Sequence, residues 1–344
     1  MVDENVLFIT GQATYIDDLD VPILAGAAHA VFVRSTAAHA RIRVDLDSAR
    51  GAPGVLVAIA AADNPILPTL AYSPDHPLRF AQPLLAEHKV RYVGEPVAVV
   101  VAATRAQAVD AAELVVIDYD ELTPVLSTHD ALFSDVRLFD LPDQARLGAH
   151  SGIADTETTN VIRTHVDDGL GQRFEPAVFE NADVVIEHEF RNPRQLAAPI
   201  ECRGAPATWT DDGHLHVWVS TQTPHSYRSR IAPMYDLALS SIHVIAGPFV
   251  GGGFGGKGAP GPEEQLIPYL ARLVERPVRW VESRTENLMS APHGRAEDIH
   301  LWLAGTSDGD LQAVKVQMHK DAGAYASSGA GLPNRWTAPM LAGT

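Results

Sequence analysis

Apolar and polar residues alternate along AAHAVFVRS (residues 27–35) and ARIRVDL (residues 40–46), which is the period of half-buried strands. GVLVAIAA (54–61) and EPVAVVVAA (95–103) are nearly continuous apolar runs, and they predict strands buried more deeply. Between 104 and 115 the period changes. TRAQAVDAAELV is rich in alanine and opens on Thr104, which predicts a helix with a threonine cap. VVIDYDEL (115–122) returns to strand alternation. These elements form a small α/β domain that closes near Val125.

Residues 127–173 lose the pattern and become rich in Asp, Gly, Ser and Thr, as a connection between domains does. A second α/β section begins at DVVIEHEF (183–190) and continues through HLHVWVSTQTPH (214–225). EEQLIPYLARLVERP (263–277) predicts a helix despite Pro268, and DLQAVKVQMHKDAGAY (310–325) a strand that enters a loop. No internal repeat is visible. The last stretch, SSGAGLPNRWTAPMLAGT, carries no closing helix or strand and reads as a truncation.

One segment stands apart from this alternation. VIAGPFVGGGFGGKGAPGP (244–262) places Gly251, Gly252, Gly253, Gly255 and Gly256 around a single aromatic, Phe254. Ordered glycine costs backbone entropy, so such a cluster is tolerated where the chain needs positive φ or must come very close to another group. Gly251, Gly253 and Gly256 satisfy G-x-G-x-x-G, with Glu282 following the strand-like VRWV, as in a dinucleotide fingerprint. Against it, Gly258, Pro260, Gly261 and Pro262 delay any helix to about Glu263. Gly251, Gly256 and Lys257 also fit a phosphate loop, but Gly258 stands where its hydroxyl residue belongs. A bend without ligand is the third reading.

Composition narrows the class. The 344 residues exceed one typical domain, so two are expected, and 46% hydrophobic with 20% charged residues is a globular balance. A formal net charge of −17 disfavours nucleic acid and anionic membrane as partners. The lone Cys202 excludes an internal disulfide and any multi-cysteine iron–sulfur or zinc site within this chain. MVDENVLFITGQ lacks a basic, then apolar, signal-peptide start, and no apolar run has spanning length, so no membrane insertion and a cytoplasmic location are expected. His225, His293, His300 and His319 lack metal-pair spacing, and the adjacent acids Asp17–Asp18 and Glu263–Glu264 read as turn and helix-start residues.

Six motifs, in order along nearly the whole chain, carry a resemblance. They are LFITGQATYIDDLDVPILAGAAHAVFVRSTAAHARI (7–42), YVGEPVAVVVA (92–102), STQTPH (220–225), GGGFGGK (251–257), ESRTENLMSAPHGR (282–295) and DAGAY (321–325). Together they resemble the N-terminal portion of the molybdenum-binding large subunit of the xanthine dehydrogenase, aldehyde oxidase and carbon monoxide dehydrogenase family of molybdenum hydroxylases. The resemblance implies an α/β (α+β) fold. A hammerhead domain would occupy 1–126, a linker 127–173 and a truncated molybdopterin-binding domain 174–344. It also implies a molybdopterin, in its cytosine dinucleotide form, with molybdenum. Iron–sulfur clusters and FAD would sit on a small and a medium partner subunit, in a dimer of heterotrimers. The implied reaction hydroxylates an aldehyde, an N-heterocycle or a similar small substrate with water-derived oxygen, or oxidises carbon monoxide.

Site residues carry over one at a time. Gln222 lies where the family has a glutamine whose amide hydrogen-bonds an oxygen ligand of molybdenum; an amide donates there without bringing charge. Phe254 and Gly255 match the pair whose backbone N–H groups approach the cofactor, with the Phe254 ring as one wall. Gly252, Gly253 and Gly256 would let that backbone come near. No residue is expected to ligate the metal directly, and the family's general-base glutamate lies beyond this chain. Two departures matter. Gly258 replaces a glutamate that follows the lysine in xanthine-type members, which counts against purine oxidation, and Cys202 replaces a proline in IECRG. Other readings remain, namely a noncatalytic fragment and a dinucleotide-binding dehydrogenase.

Overall fold

The computed structural model describes residues 4–64, 80–139, 160–162, 176–247 and 249–325. The expected linker falls largely, and the final stretch wholly, outside them. In chain order the elements are α1 (Glu4–Ile9), β1 (Ala28–Arg34), β2 (Ala40–Asp45), α2 (Asp47–Arg50), β3 (Val55–Ala60), β4 (Lys89–Val90), β5 (Pro96–Ala102), α3 (Arg105–Ala112) and β6 (Val116–Glu121). There follow α4 (Thr128–Phe133), α5 (Pro176–Asn181), β7 (Val184–Leu196), β8 (Ala207–Trp209), β9 (Leu215–Val219), α6 (Pro224–Met234) and β10 (Ile242–Ala246). The last are α7 (Pro262–Leu273), β11 (Val278–Arg279), α8 (Arg284–Ser290), β12 (His293–Gly305) and β13 (Leu311–Lys320). Among the described residues no helix is long and apolar enough to cross a membrane.

Two compact units interleave along the sequence. One comprises residues 1–70, 82–124 and 196–292, the other 71–81, 125–195 and 293–344. The first is built on a mixed sheet in the order β10-β9-β8-β11-β1-β5-β3. Its β1 runs parallel to β11 and antiparallel to β5. Residues 196–292, which the sequence pattern assigns to the later section, thus add four strands to the sheet of the N-terminal region. A smaller sheet, β4-β2-β6, completes this unit, and the second unit holds the sheet β13-β12-β7.

Local chemistry explains most of the elements. β5 is buried along its whole length, as its unbroken apolar run predicts, because β1 and β3 flank it and side chains pack on both faces. β3 differs from expectation. It is the edge strand, so only Ala58 and Ile59 are buried in it. Thr104 caps α3, its hydroxyl accepting from the Gln107 N–H at 3.3 Å. α6 and α7 supply Tyr227, Ile231, Leu266, Ile267 and Leu270 to the main core against Val99, Val217 and Trp280. Pro268 within α7 has no N–H for the Glu264 carbonyl; the Tyr227 hydroxyl donates to that carbonyl instead at 2.7 Å.

Candidate functional site

The glycine cluster is the loop between β10 and α7, and it lies against two other segments of the same unit, 197–201 and 220–223. Gln222 anchors it. The Gly255 N–H donates to Gln222 Oε1 at 3.0 Å, and the Gln222 N–H donates to the Lys257 carbonyl at 3.0 Å. The Thr221 and Thr223 hydroxyls donate to the carbonyls of Lys257 (3.1 Å) and Gly258 (2.9 Å). With Oε1 engaged, the NH2 group of the exposed Gln222 has no acceptor among the described residues.

The glycines serve different purposes. Gly252 (φ +94°) and Gly255 (φ +89°) hold left-handed conformations, as does Phe254 (φ +52°), which a bulky residue adopts only at some cost. At Gly253 a Cβ would stand 2.5 Å from Gln222 Cδ, and at Gly256 it would stand 3.2 Å from the Ala197 Cβ. These two glycines therefore admit the chain's own neighbouring segments rather than open space. Gly255 alone in the loop has nothing within 4 Å of a built Cβ. Phe254 is 77% exposed, so its ring is no core aromatic. The N–H groups of Gly252, Gly253 and Phe254 donate no hydrogen bond among the described residues, so they stand beside the Gln222 amide as uncommitted donors, although Gly253 itself is buried.

Sequence reasoning missed what holds this loop. Lys257 is buried, with Nζ 2.9 Å from Glu201 Oε2 and 2.7 Å from Ser220 Oγ. It does not face outward as a phosphate-binding lysine would. α7 starts only at Pro262, so no helix N-terminus opens directly on Gly251–Gly256. Glu201 also accepts from the Ser220 hydroxyl (2.5 Å), the Gly251 N–H (2.8 Å) and the Ile16 N–H (3.1 Å). Burial would raise its carboxyl pKa, but these hydrogen bonds outweigh that and hold it below the usual value. The signal lay in IECRG, yet only the fold shows that Glu201 and Arg203 serve different networks.

Arg203 reaches a buried acidic group. Its guanidinium lies 2.6 Å from Glu282 and 3.2 Å from Glu263, and Arg34 contacts Glu263 at 2.7 Å and Glu286 at 3.0 Å. Burial opposes ionisation of Glu263, but Arg203 and Arg34 hold its pKa down at about 2. Burial pushes Glu264 up to about 7, against the pull of Arg203 and the Gly261 N–H. Arg284 donates to the carbonyls of Pro199 (2.5 Å) and Ile200 (2.8 Å), so it fixes the segment beside the loop. Glu286 closes a capping box with Ser283, which accounts locally for the S-R-T-E run. Cys202 is half-buried, and burial raises its thiol pKa. Among the described residues no three His, Cys, Asp or Glu side chains gather to hold a metal ion.

Comparison with known proteins identifies the family. The family described as "Molybdopterin cofactor-binding domain" matches residues 153–343, and "Aldehyde oxidase and xanthine dehydrogenase, a/b hammerhead domain" matches residues 10–123. The chain is 34% identical to the nicotine 6-hydroxylase large subunit of Paenarthrobacter nicotinovorans, over 94% of this chain and 37% of that protein. It is 33% identical to the carbon monoxide dehydrogenase large chain of Afipia carboxidovorans, over 98% of this chain and 40% of the relative. The chain thus spans about two-fifths of the length of these relatives. It covers 71% of the nicotinate dehydrogenase large molybdopterin subunit of Eubacterium barkeri at 30% identity. The crystal structure of quinoline 2-oxidoreductase from Pseudomonas putida superposes with a TM-score of 0.78 at 33% identity, over 94% of this chain and 39% of that one. The hammerhead and cofactor-domain matches, the shared mixed-sheet fold and the six ordered motifs lead to one conclusion: the chain belongs to the molybdopterin-binding large subunits of the xanthine dehydrogenase, aldehyde oxidase and carbon monoxide dehydrogenase family.

Proposed function

We propose that this chain is the molybdopterin-binding part of a molybdenum hydroxylase that oxidises an aldehyde, an N-heterocycle or a similar small substrate, or carbon monoxide. The observation that carries the reading is the Gly255 N–H to Gln222 Oε1 bond, which leaves the Gln222 NH2 without an acceptor among the described residues, next to loop N–H groups that likewise donate no bond among them. Such an array suits a ligand rich in hydrogen-bond acceptors, and a molybdopterin is one. Gln222 would hold an acceptor on that cofactor by its neutral amide. Gly252, Gly253, Phe254 and Gly255 would offer backbone N–H groups or close approach, Gly256 would support the loop, and the exposed Phe254 ring would form part of a wall. When bound, the cofactor supplies the Lewis acid and the electron acceptor. The chain's own contribution is to bind, to orient and to keep water from one side.

The remaining parts of the reading follow from the family. The cofactor would be the cytosine dinucleotide form, the electrons would pass to iron–sulfur and FAD subunits in a dimer of heterotrimers, and the complex would be cytoplasmic. Residues 1–126 would be the hammerhead domain and 174–344 part of the cofactor domain. Gly258 at the position after Lys257 disfavours purines, since no carboxylate is present there to orient one. The test is co-purification of this chain with its companion subunits. Molybdenum and pterin are then measured per complex, and oxidation of N-heterocycles, aldehydes and carbon monoxide is followed with a dye acceptor. A folded complex free of molybdenum would overturn the reading.

A further inference from the structure

We infer that Lys257 is a positioning residue for the Gln222 amide: its ammonium, neutralised by Glu201, clamps the glycine loop onto the segment that carries Gln222. The inference rests on the role proposed for Gln222 above, but the clamp itself is visible without any cofactor. The Lys257 side chain is 1% exposed and that of Glu201 10%, so neither charge is free to meet a ligand in solution. Three segments distant in sequence converge on this pair. The Glu201 N–H donates to the Gly251 carbonyl and the Gly251 N–H returns a bond to Glu201 Oε2, which ties the start of the loop to residue 201. Ser220 donates to Glu201 and accepts from Lys257, which ties the end of the loop to the strand exit that leads to Gln222. The Lys257 carbonyl then takes the Gln222 and Thr221 donors.

This arrangement determines which way the Gln222 amide faces. With both ends of the loop pinned, Gly255 is held where its N–H meets Gln222 Oε1, and the NH2 is left without an acceptor among the described residues. Lysine suits the position because a compact ammonium can satisfy two oxygens in a narrow buried space, whereas a planar guanidinium needs a wider fork. Removal of one partner of a buried ion pair leaves an uncompensated charge, whereas removal of both is far milder. That asymmetry separates clamping from general stability.

The experiment is amide hydrogen exchange, read by mass spectrometry, on the 344-residue chain with and without substitutions. In Lys257→Met the peptide covering 249–258 should exchange at least tenfold faster than in the unsubstituted chain, with β5 and α7 unchanged; unaltered exchange in 249–258 overturns the clamp. In Glu201→Gln/Lys257→Met the thermal midpoint should return towards that of the unsubstituted chain while 249–258 still exchanges severalfold faster. Full return of loop protection together with the midpoint would mean that Lys257 acts through stability alone, and overturns positioning. Should Lys257→Met not yield folded protein, Ser220→Ala keeps the ion pair and removes the hydroxyl between the segments. It should raise loop exchange two- to fivefold, and no change overturns the inference. Failure here is distinct from failure of the cofactor reading, because absence of molybdenum from the unsubstituted complex tests that reading alone.

Discussion

Gly253→Ala puts the geometry of the site to a narrow test. A Cβ at residue 253 would stand 2.5 Å from both Gln222 Cδ and Gln222 Oε1, about 1 Å inside ordinary contact. Gly253 is not in the left-handed region, so alanine brings no backbone strain there. The whole effect therefore falls on the Gln222 side chain, a flexible group that can swing aside and in doing so gives up the Gly255 N–H bond. That loss costs about 1 kcal/mol of stability, the net worth of one neutral hydrogen bond. The functional loss should be far larger. A donor turned away from its acceptor at a charge-developing centre costs about a hundredfold in turnover. The assays are thermal unfolding of the chain, and turnover together with molybdenum content of the assembled complex. Wild-type turnover in a folded Gly253→Ala enzyme would refute the argument, since the amide cannot keep its observed position beside that methyl group.

Gln222→Ala should lower turnover by about a hundredfold with a stability change near 1 kcal/mol, and unchanged turnover would remove Gln222 from the site. Gly255→Val combines a strained φ of +89° with a branched side chain in open space, so the folded, assembled mutant should lose most of its molybdenum and pterin. Full occupancy would reduce GGGFGGK to a bend. Glu264 supplies a pH test. Its folded pKa, at about 7, lies above the carboxyl's ordinary value, so its stabilising contribution is complete below about 4.5 and is lost as pH rises through 7. Glu264→Gln removes that titration and should gain up to about 3 kcal/mol relative to wild type between pH 5 and pH 9. Equal pH dependence of the two thermal midpoints would show that Glu264 does not titrate there.

The parts legible in the sequence were those whose causes are local. β5, β2 and α3 follow from an apolar run, an apolar–polar alternation and a threonine cap, and the helix start at Glu263–Glu264 follows from Pro262 and a capping glutamate. The glycine loop and Gln222 were legible because short motifs carried them, though not the contact between them, which spans 33 positions. Lys257 was opaque for a physical reason. A lysine after glycines looks the same on paper whether it meets a phosphate or a carboxylate, and Glu201 lies 56 positions away. The pairing of Arg34 with Glu286 spans 252 positions, and no periodicity encodes it. The apolar run of β3 predicts burial because hydrophobicity reports composition, whereas its exposure is set by having a single neighbour in the sheet.

The pairing of β1 with β11 has a consequence for biosynthesis. Arg276 donates to the Gly26 carbonyl and Val278 sits opposite Ala28, so a contact of 250 positions must close before β1 gains its second neighbour. At ribosomal rates of about 5–20 residues per second, β1 waits on the order of 10–50 s for that partner to be made. During this interval one side of an apolar strand is bare, an invitation to wrong pairing between nascent chains. Contacts of such separation also fold slowly once the chain is complete. Slower translation between residues 120 and 280 should therefore lengthen the exposure of β1 and lower the soluble yield.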